Sequence, residues 1–179
     1  MLNFKAIDKS WTLFLDRDGV INRKIDNDYV RNLNQFEMLN GAADAISGLS
    51  KIFSKVIIVT NQQGIGKGLM TENDLNEIHQ HLKSEIEIAG GKIDAIYFAP
   101  NLKLENSPIR KPETGMALAA QKDFPEIEFS KSVMIGDSMH DMDFGKRLGM
   151  NTIYISPIKI SHAWIDDWAE SLAVVANRF

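Results

Sequence analysis

Short apolar runs rich in β-branched and aromatic residues alternate along this chain with stretches whose apolar residues recur at helical spacing. That alternation narrows the possible folds more than any other feature. Parallel strands cannot be joined by tight turns, and intervening helices supply the crossovers they need. The expected strands are residues 11–15, 55–60, 95–98, 133–135 and 152–155. Between the first two, Ala42, Ala43, Ile46, Leu49 and Phe53 share a helical face. A clearer helix starts after Thr71, whose hydroxyl can cap it with Asp74 three places on, and continues through Leu75, Ile78, Leu82 and Ile86 until Gly90 and Gly91 stop it. Pro112 is placed to open a further helix carrying Met116, Leu118 and Ala119, and another spans about 138–148 before Gly149. Residues 158–179 show no clear pattern. The order predicts an α/β fold, a Rossmann-like three-layer sandwich around a mainly parallel sheet.

A chain of 179 residues suits one domain, residues 1–179. Its 44% hydrophobic and 25% charged content is that of an ordinary globular protein. The N-terminal apolar run is short and interrupted by Lys5, Asp8 and Lys9, unlike a secretion signal, and no stretch approaches the ~20 apolar residues of a membrane span. With no cysteine for disulfides or thiolate metal sites, the expectation is a cytoplasmic protein that does not engage a membrane. The net charge of −4 gives no electrostatic support for binding nucleic acid, while a small anionic metabolite in a local pocket is compatible with it. Oligomeric state stays open, and a monomer is compatible with the sequence.

In open α/β sheets ligands collect at the carboxyl ends of strands, so the residues that follow each strand are the informative ones. The first strand runs into Asp16-Arg17-Asp18-Gly19, the second into Thr60-Asn61-Gln62, and the fourth into Gly136-Asp137 with Asp141 a helical turn on. Lys111 precedes a helix start. Asp16 and Asp18, two apart, leave extended backbone on the same face and could address one reacting atom. Carboxylates that close repel unless a cation sits between them, and oxygen ligands without nearby His or Cys favour Mg²⁺. Each fragment alone also has a plain structural reading. Asp-x-Asp-Gly can be a solvated turn, Thr60 a strand terminus, Asn61 a turn residue, Lys111 a solvated charge, and Asp141 the capping partner of Ser138.

Taken together and in order, residues 14–22, Val59-Thr60-Asn61-Gln62, Arg110-Lys111-Pro112, and Ile135-Gly136-Asp137-Ser138 with Asp141 resemble the four motifs of the haloacid dehalogenase superfamily. More narrowly, Asp-Arg-Asp-Gly-Val-Ile-Asn, the Asp28-Tyr29-Val30 that follows, and Thr-Asn-Gln before Gly64-Ile65-Gly66-Lys67-Gly68 resemble its branch of D-glycero-D-manno-heptose-1,7-bisphosphate and histidinol-phosphate phosphatases. That branch lacks a cap domain, so the resemblance implies a capless fold. It departs from the branch in two places. The zinc loop of three cysteines and a histidine common before Arg-Lys-Pro is missing from residues 98–110, so no zinc is expected, and Ser138 stands where the heptose enzymes often have lysine.

The resemblance implies a Mg²⁺-dependent phosphomonoesterase. Asp16 would be the nucleophile that becomes an aspartyl phosphate, Asp18 the acid and base, and Thr60 and Lys111 the groups that stabilise the phosphoryl oxygens. Metal ligands would be Asp16, the Asp18 carbonyl and Asp137. Asn61, Gln62, Arg110, Lys67 and Tyr29 would contact substrate, with Arg110 gripping a second anionic group through its planar fork. The implied substrate is a sugar bisphosphate. Histidinol phosphate and 3′-phosphorylated polynucleotide ends are the alternative substrates, and a non-catalytic phospholigand-binding subunit is the alternative of another class.

Overall fold

In the computed structural model, which describes residues 2–179, all five expected runs become strands: β1 (Thr12–Leu15), β2 (Lys55–Asn61), β3 (Ala95–Ala99), β4 (Ser132–Gly136) and β5 (Asn151–Ile155). A sixth, β6 (Asp167–Ala169), comes from the segment that showed no pattern. The helices are α1 (Ala42–Ile52), α2 (Gln63–Gly66), α3 (Glu72–Ile88), α4 (Gly115–Asp123), α5 (Met139–Arg147) and α6 (Leu172–Ala176). All strand pairings are parallel, in the order β3-β2-β1-β4-β5-β6. The order reverses between β1 and β4, and a doubly wound sheet opens its ligand crevice at such a switch point.

Period-two alternation sends side chains of each central strand to opposite faces. Leu13, Leu15, Val56, Ile58, Val133 and Ile135 pack with Ile46 and Leu49 of α1, Leu82 and Ile86 of α3, and Leu172 and Val175 of α6. Phe14, Ile57, Val59 and Met134 turn the other way, onto Met116, Ala117 and Ala120 of α4 and Phe144 of α5. The result is the three-layer sandwich. A buried side chain of this size is worth ~1.5–3 kcal/mol, so a one-residue slip of β1 against Lys55 and Ser132, its partners at Thr12, would forfeit a whole face.

Two helices begin as capping boxes. The Thr71 hydroxyl accepts from the Asp74 amide at 3.1 Å while the Asp74 carboxylate accepts from the Thr71 amide at 2.7 Å, and Ser138 and Asp141 repeat the exchange at α5. The expected start of α4 is wrong by three residues. Pro112 lies outside the helix, because the Glu113 amide bonds back to the Arg110 carbonyl and the Gly115 amide to that of Pro108, holding residues 108–115 in turns. The residues of α4 that are buried are Met116, Ala117 and Ala120, while Leu118 is half exposed.

Among the described residues no domain is inserted between the strands. Residues 16–41 leave β1, turn out and return through an Asn22–Met38 bridge, and residues 100–114 cross the ends of β2 and β3. Among the described residues no helix is long and apolar enough to cross a membrane.

Candidate active site

The carboxyl ends of β1, β2 and β4 open into a cleft of about 540 Å³ lined by Asp16, Asp18, Thr60, Asn61, Lys111, Asp137 and Asp141 at its floor, with Lys24, Tyr29, Lys103, Arg110 and His140 among the rim residues. The chain does not stay extended beyond β1, as the sequence reading assumed. The Arg17 carbonyl accepts amides from Val20, Ile21 and Asn22, so the backbone turns sharply and Asp16 and Asp18 reach the cleft from either side of a bend. Gly19 makes the turn possible. Its φ is +86°, and a Cβ there would sit 2.3 Å from the Asp137 carboxylate.

Lys111 is the centre of the floor. Its buried ammonium lies 2.8 Å from Asp16 Oδ1 and 2.6 Å from Asp141 Oδ1, and donates to the Val59 carbonyl at 2.7 Å. Asn61 fixes its backbone: the carboxamide donates to the Lys111 carbonyl at 3.1 Å and accepts its amide at 3.0 Å. Burial pulls the pKa of the ammonium down, but Asp141 and Asp16 outweigh it and hold the group above the usual lysine value. Asp141 therefore serves both its readings, as capping partner of Ser138 and as counter-ion of Lys111.

Burial pushes the Asp16 carboxyl up to about 7. Lys111 pulls against that rise, and the charges of Asp141 and Asp137 add to it. Burial also raises Asp137, although the Lys24 ammonium lies 2.7 Å from its Oδ2. Asp18 goes the other way. Burial would raise it, but the Arg17 guanidinium, Asn22 and Gln62 outweigh burial and hold it below the ordinary carboxylate value. Arg17 NH2 donates to both its oxygens at 2.9 and 3.0 Å, Asn22 Nδ2 to Oδ1 at 2.9 Å and Gln62 Nε2 to Oδ2 at 2.9 Å.

One oxygen from each of Asp16, Asp137 and Asp141 lies within 4.8 Å of the others, and Asp137 Oδ1 is buried without a hydrogen-bond partner. Once Asp16 is ionised, as an attacking carboxylate must be, four carboxylates stand against the cations of Arg17, Lys24 and Lys111 and leave the floor net negative, a poor host for a phosphate dianion. Hard oxygen donors and an uncompensated charge fit a divalent cation of the magnesium type. The Asp18 carboxylate, drawn off by Arg17, stands outside this acidic group.

The remaining site candidates divide. Thr60 and Tyr29 line the cleft, the Tyr29 hydroxyl accepting from Gln63 at 2.9 Å, and Arg110 lines it with NH1 donating to the Asn101 carbonyl at 3.2 Å. Gln62 is buried behind the floor, donating to Asp18 and Thr60, which leaves it no face toward a substrate. Lys67 lies beyond the lining, its ammonium 5.2 Å from the centre of the Tyr29 ring. Sequence reasoning missed Lys24, Asn22, Arg17 and His79. A fully buried arginine between two aspartates is visible in sequence only as a charge.

The sequence model of the HAD-hydrolase-like family matches residues 108–179. The D-glycero-alpha-D-manno-heptose-1,7-bisphosphate 7-phosphatase of Mycobacterium bovis is 43% identical over 133 residues, 74% of this chain and 70% of its own length. The D-glycero-beta-D-manno-heptose-1,7-bisphosphate 7-phosphatase of Helicobacter pylori is 34% identical over 169 residues, 91% of this chain and 96% of its own length. A crystal structure of the D,D-heptose 1,7-bisphosphate phosphatase of B. bronchiseptica, complexed with magnesium and phosphate, superposes with a TM-score of 0.83 at 26% identity, covering 94% of this chain and 97% of that one. The chain belongs to the haloacid dehalogenase superfamily, in the family of these phosphatases. It is a phosphoric monoester hydrolase.

Proposed function

We propose that residues 1–179 form one phosphatase domain that removes the 7-phosphate of D-glycero-D-manno-heptose 1,7-bisphosphate, with Mg²⁺ held by Asp16, Asp137 and the Asp18 carbonyl. The relatives of 38–43% identity are named for the α anomer, which favours it, while at 34–35% identity relatives named for the α and the β anomer occur together. The observation that carries the chemistry is the buried Lys111 ammonium shared by Asp16 and Asp141 beside an acidic group at the β1/β4 switch point.

Asp16 attacks phosphorus, so that an Asp16–phosphorus bond forms as the sugar–oxygen bond to phosphorus breaks. Asp18, which its donors hold below the ordinary carboxylate value in the free protein, takes up a proton from the substrate's phosphate monoanion, gives it to the departing sugar oxygen, then takes one from the water that displaces Asp16 and frees phosphate. The cation, when bound, neutralises the carboxylates and the phosphoryl oxygens. Lys111 keeps Asp16 in place and, with Thr60 and the Asn61 amide, meets charge building on the phosphoryl group, each such donor lowering the barrier by ~2.7–4 kcal/mol. Arg110 grips the second phosphate as a bidentate fork, and Tyr29, braced by Gln63 and Lys67, contacts the sugar. Gln62 acts indirectly, by holding Asp18.

The test compares phosphate release from heptose 1,7-bisphosphate, fructose 1,6-bisphosphate, histidinol phosphate and a 3′-phosphorylated oligonucleotide. Asp16→Asn should abolish Mg²⁺-dependent turnover, and Arg110→Ala should lower kcat/KM on the heptose far more than on an aryl phosphate. Preference for the oligonucleotide would refute the sugar assignment, and equal losses in Arg110→Ala would place Arg110 at the reacting phosphate.

A further inference from the structure

Arg17 is the largest fully buried side chain of the protein, and its guanidinium has two partners. At one end NH2 carries Asp18. At the other, NH1 donates at 3.3 Å to Nε2 of His79, which comes from α3, 62 residues along the chain. Nε has no partner. His79 is buried, with its ring centre 6.3 Å from that of Phe98 in an edge arrangement. To accept from an arginine, Nε2 must offer its lone pair, so the ring is neutral with its proton on Nδ1. Burial, together with the Arg17 charge, keeps it so by lowering its pKa to about 3.

Asn22 and Gln62 each hold one oxygen of Asp18 while Arg17 NH2 meets both, so a guanidinium held only at that end could pivot and let the carboxylate rotate between its other two donors. A second acceptor at the far end of the planar fork removes the freedom, because both ends must then be satisfied in one plane. His79 is supplied by a helix whose position is set by a capping box at one end and by Leu75, Ile78, Leu82 and Ile86 in the core. The Arg17 to His79 bond thus ties the orientation of Asp18 to a packed helix outside the cleft.

We propose that His79, acting through Arg17, is a positioning residue that aims the Asp18 carboxyl group at the leaving oxygen of the substrate. The inference rests on the reading of Asp18 as proton donor, and it concerns orientation and not charge. Proton donation matters most for a poor leaving group, so a misaimed Asp18 shows as a steeper dependence of kcat/KM on leaving-group basicity. A mere loss of folded enzyme lowers every substrate alike.

The experiment measures kcat/KM with Mg²⁺ for a series of aryl phosphates, from 4-nitrophenyl to 4-methoxyphenyl phosphate, in wild type, Asp18→Asn, His79→Leu, His79→Met and His79→Gln, with thermal unfolding as a folding control. His79→Leu and His79→Met, which remove the acceptor, should lose about tenfold more on the most basic leaving group than on the least, a part of the ~10²–10⁴ that a placed general acid contributes. His79→Gln, whose amide oxygen can accept from Arg17, should restore the wild-type slope. Asp18→Asn should steepen it most. If Asp18→Asn steepens the slope and the folded His79→Leu or His79→Met variants do not, the inference is overturned and the role of Asp18 stands. If Asp18→Asn leaves the slope unchanged, the role of Asp18 fails and the inference falls with it.

Discussion

Asp16 should make the metal-free protein less stable as pH rises, and Mg²⁺ should cancel that loss. In the unfolded chain its carboxyl titrates near 3.8, whereas in the fold, without a cation, burial and the neighbouring Asp141 and Asp137 carry it to about 7. Below the lower value the group is protonated in both states and has no effect. Between the two the unfolded chain ionises and the fold keeps its proton, so stability falls across that window and levels off above it. At about 1.4 kcal/mol for each pH unit, the loss is roughly 4 kcal/mol, or on the order of 10 °C in unfolding midpoint for a chain of this length. A dication in the acidic group restores it by binding only the folded state. The assay is thermal unfolding of wild type and Asp16→Asn from pH 4 to 8, in chelator and in Mg²⁺. In chelator, the wild type should lose ground to Asp16→Asn steadily up to about pH 7. In Mg²⁺ it should recover, and Asp16→Asn should gain far less. A wild-type-minus-variant difference that is flat with pH, or equal stabilisation of both proteins by Mg²⁺, would refute the reasoning.

Lys111→Met should be inactive and, measured by denaturant unfolding in chelator, about 3–5 kcal/mol less stable, because it strands the buried carboxylates of Asp16 and Asp141. Gly19→Ala should weaken Mg²⁺ binding by about tenfold or more in titration calorimetry while leaving the far-UV circular dichroism unchanged, since its methyl group displaces Asp137 from the site. Ser138→Ala should cost about 0.5–2 kcal/mol in urea unfolding through the lost α5 cap, and a wild-type midpoint would show that Asp141 holds the helix end unaided.

Much of this molecule is legible in its sequence because the strong signals are local. Five strands are short apolar runs, α3 is announced by Thr71 and Asp74, and the floor residues fall at strand ends in a fixed order. What escaped depends on distant partners. β6 is a three-residue edge strand without alternation, held in place by Arg178, which donates to Asp167 Oδ2 and the Trp168 carbonyl. The start of α4 slid because the Arg110 and Pro108 carbonyls hold the preceding turns, a demand that outweighs the helix-opening preference of Pro112. Gln62 reads as a substrate contact beside Thr60 and Asn61, yet it is buried with its amide donating to Asp18 and Thr60, and the His79–Arg17 bond joins residues no local pattern connects.

The reciprocal hydrogen bonds between Asn61 and the Lys111 backbone have an evolutionary and engineering consequence. They anchor Lys111, within the crossing of residues 100–114, to the last residue of β2, so the position of its amine depends less on the length and composition of the stretch before it. The branch that the motifs resemble implies a zinc loop of three cysteines and a histidine in that stretch, whereas here residues 98–110 contain neither residue type. Internal ties do the bracing instead: Arg110 to the Asn101 carbonyl, the Asn101 carboxamide to Glu105, and the Lys103 amide to the Gln63 side chain. Exchange of residues 100–110 for a relative's segment is therefore expected to alter kcat/KM among sugar bisphosphates while leaving turnover of an aryl phosphate unchanged.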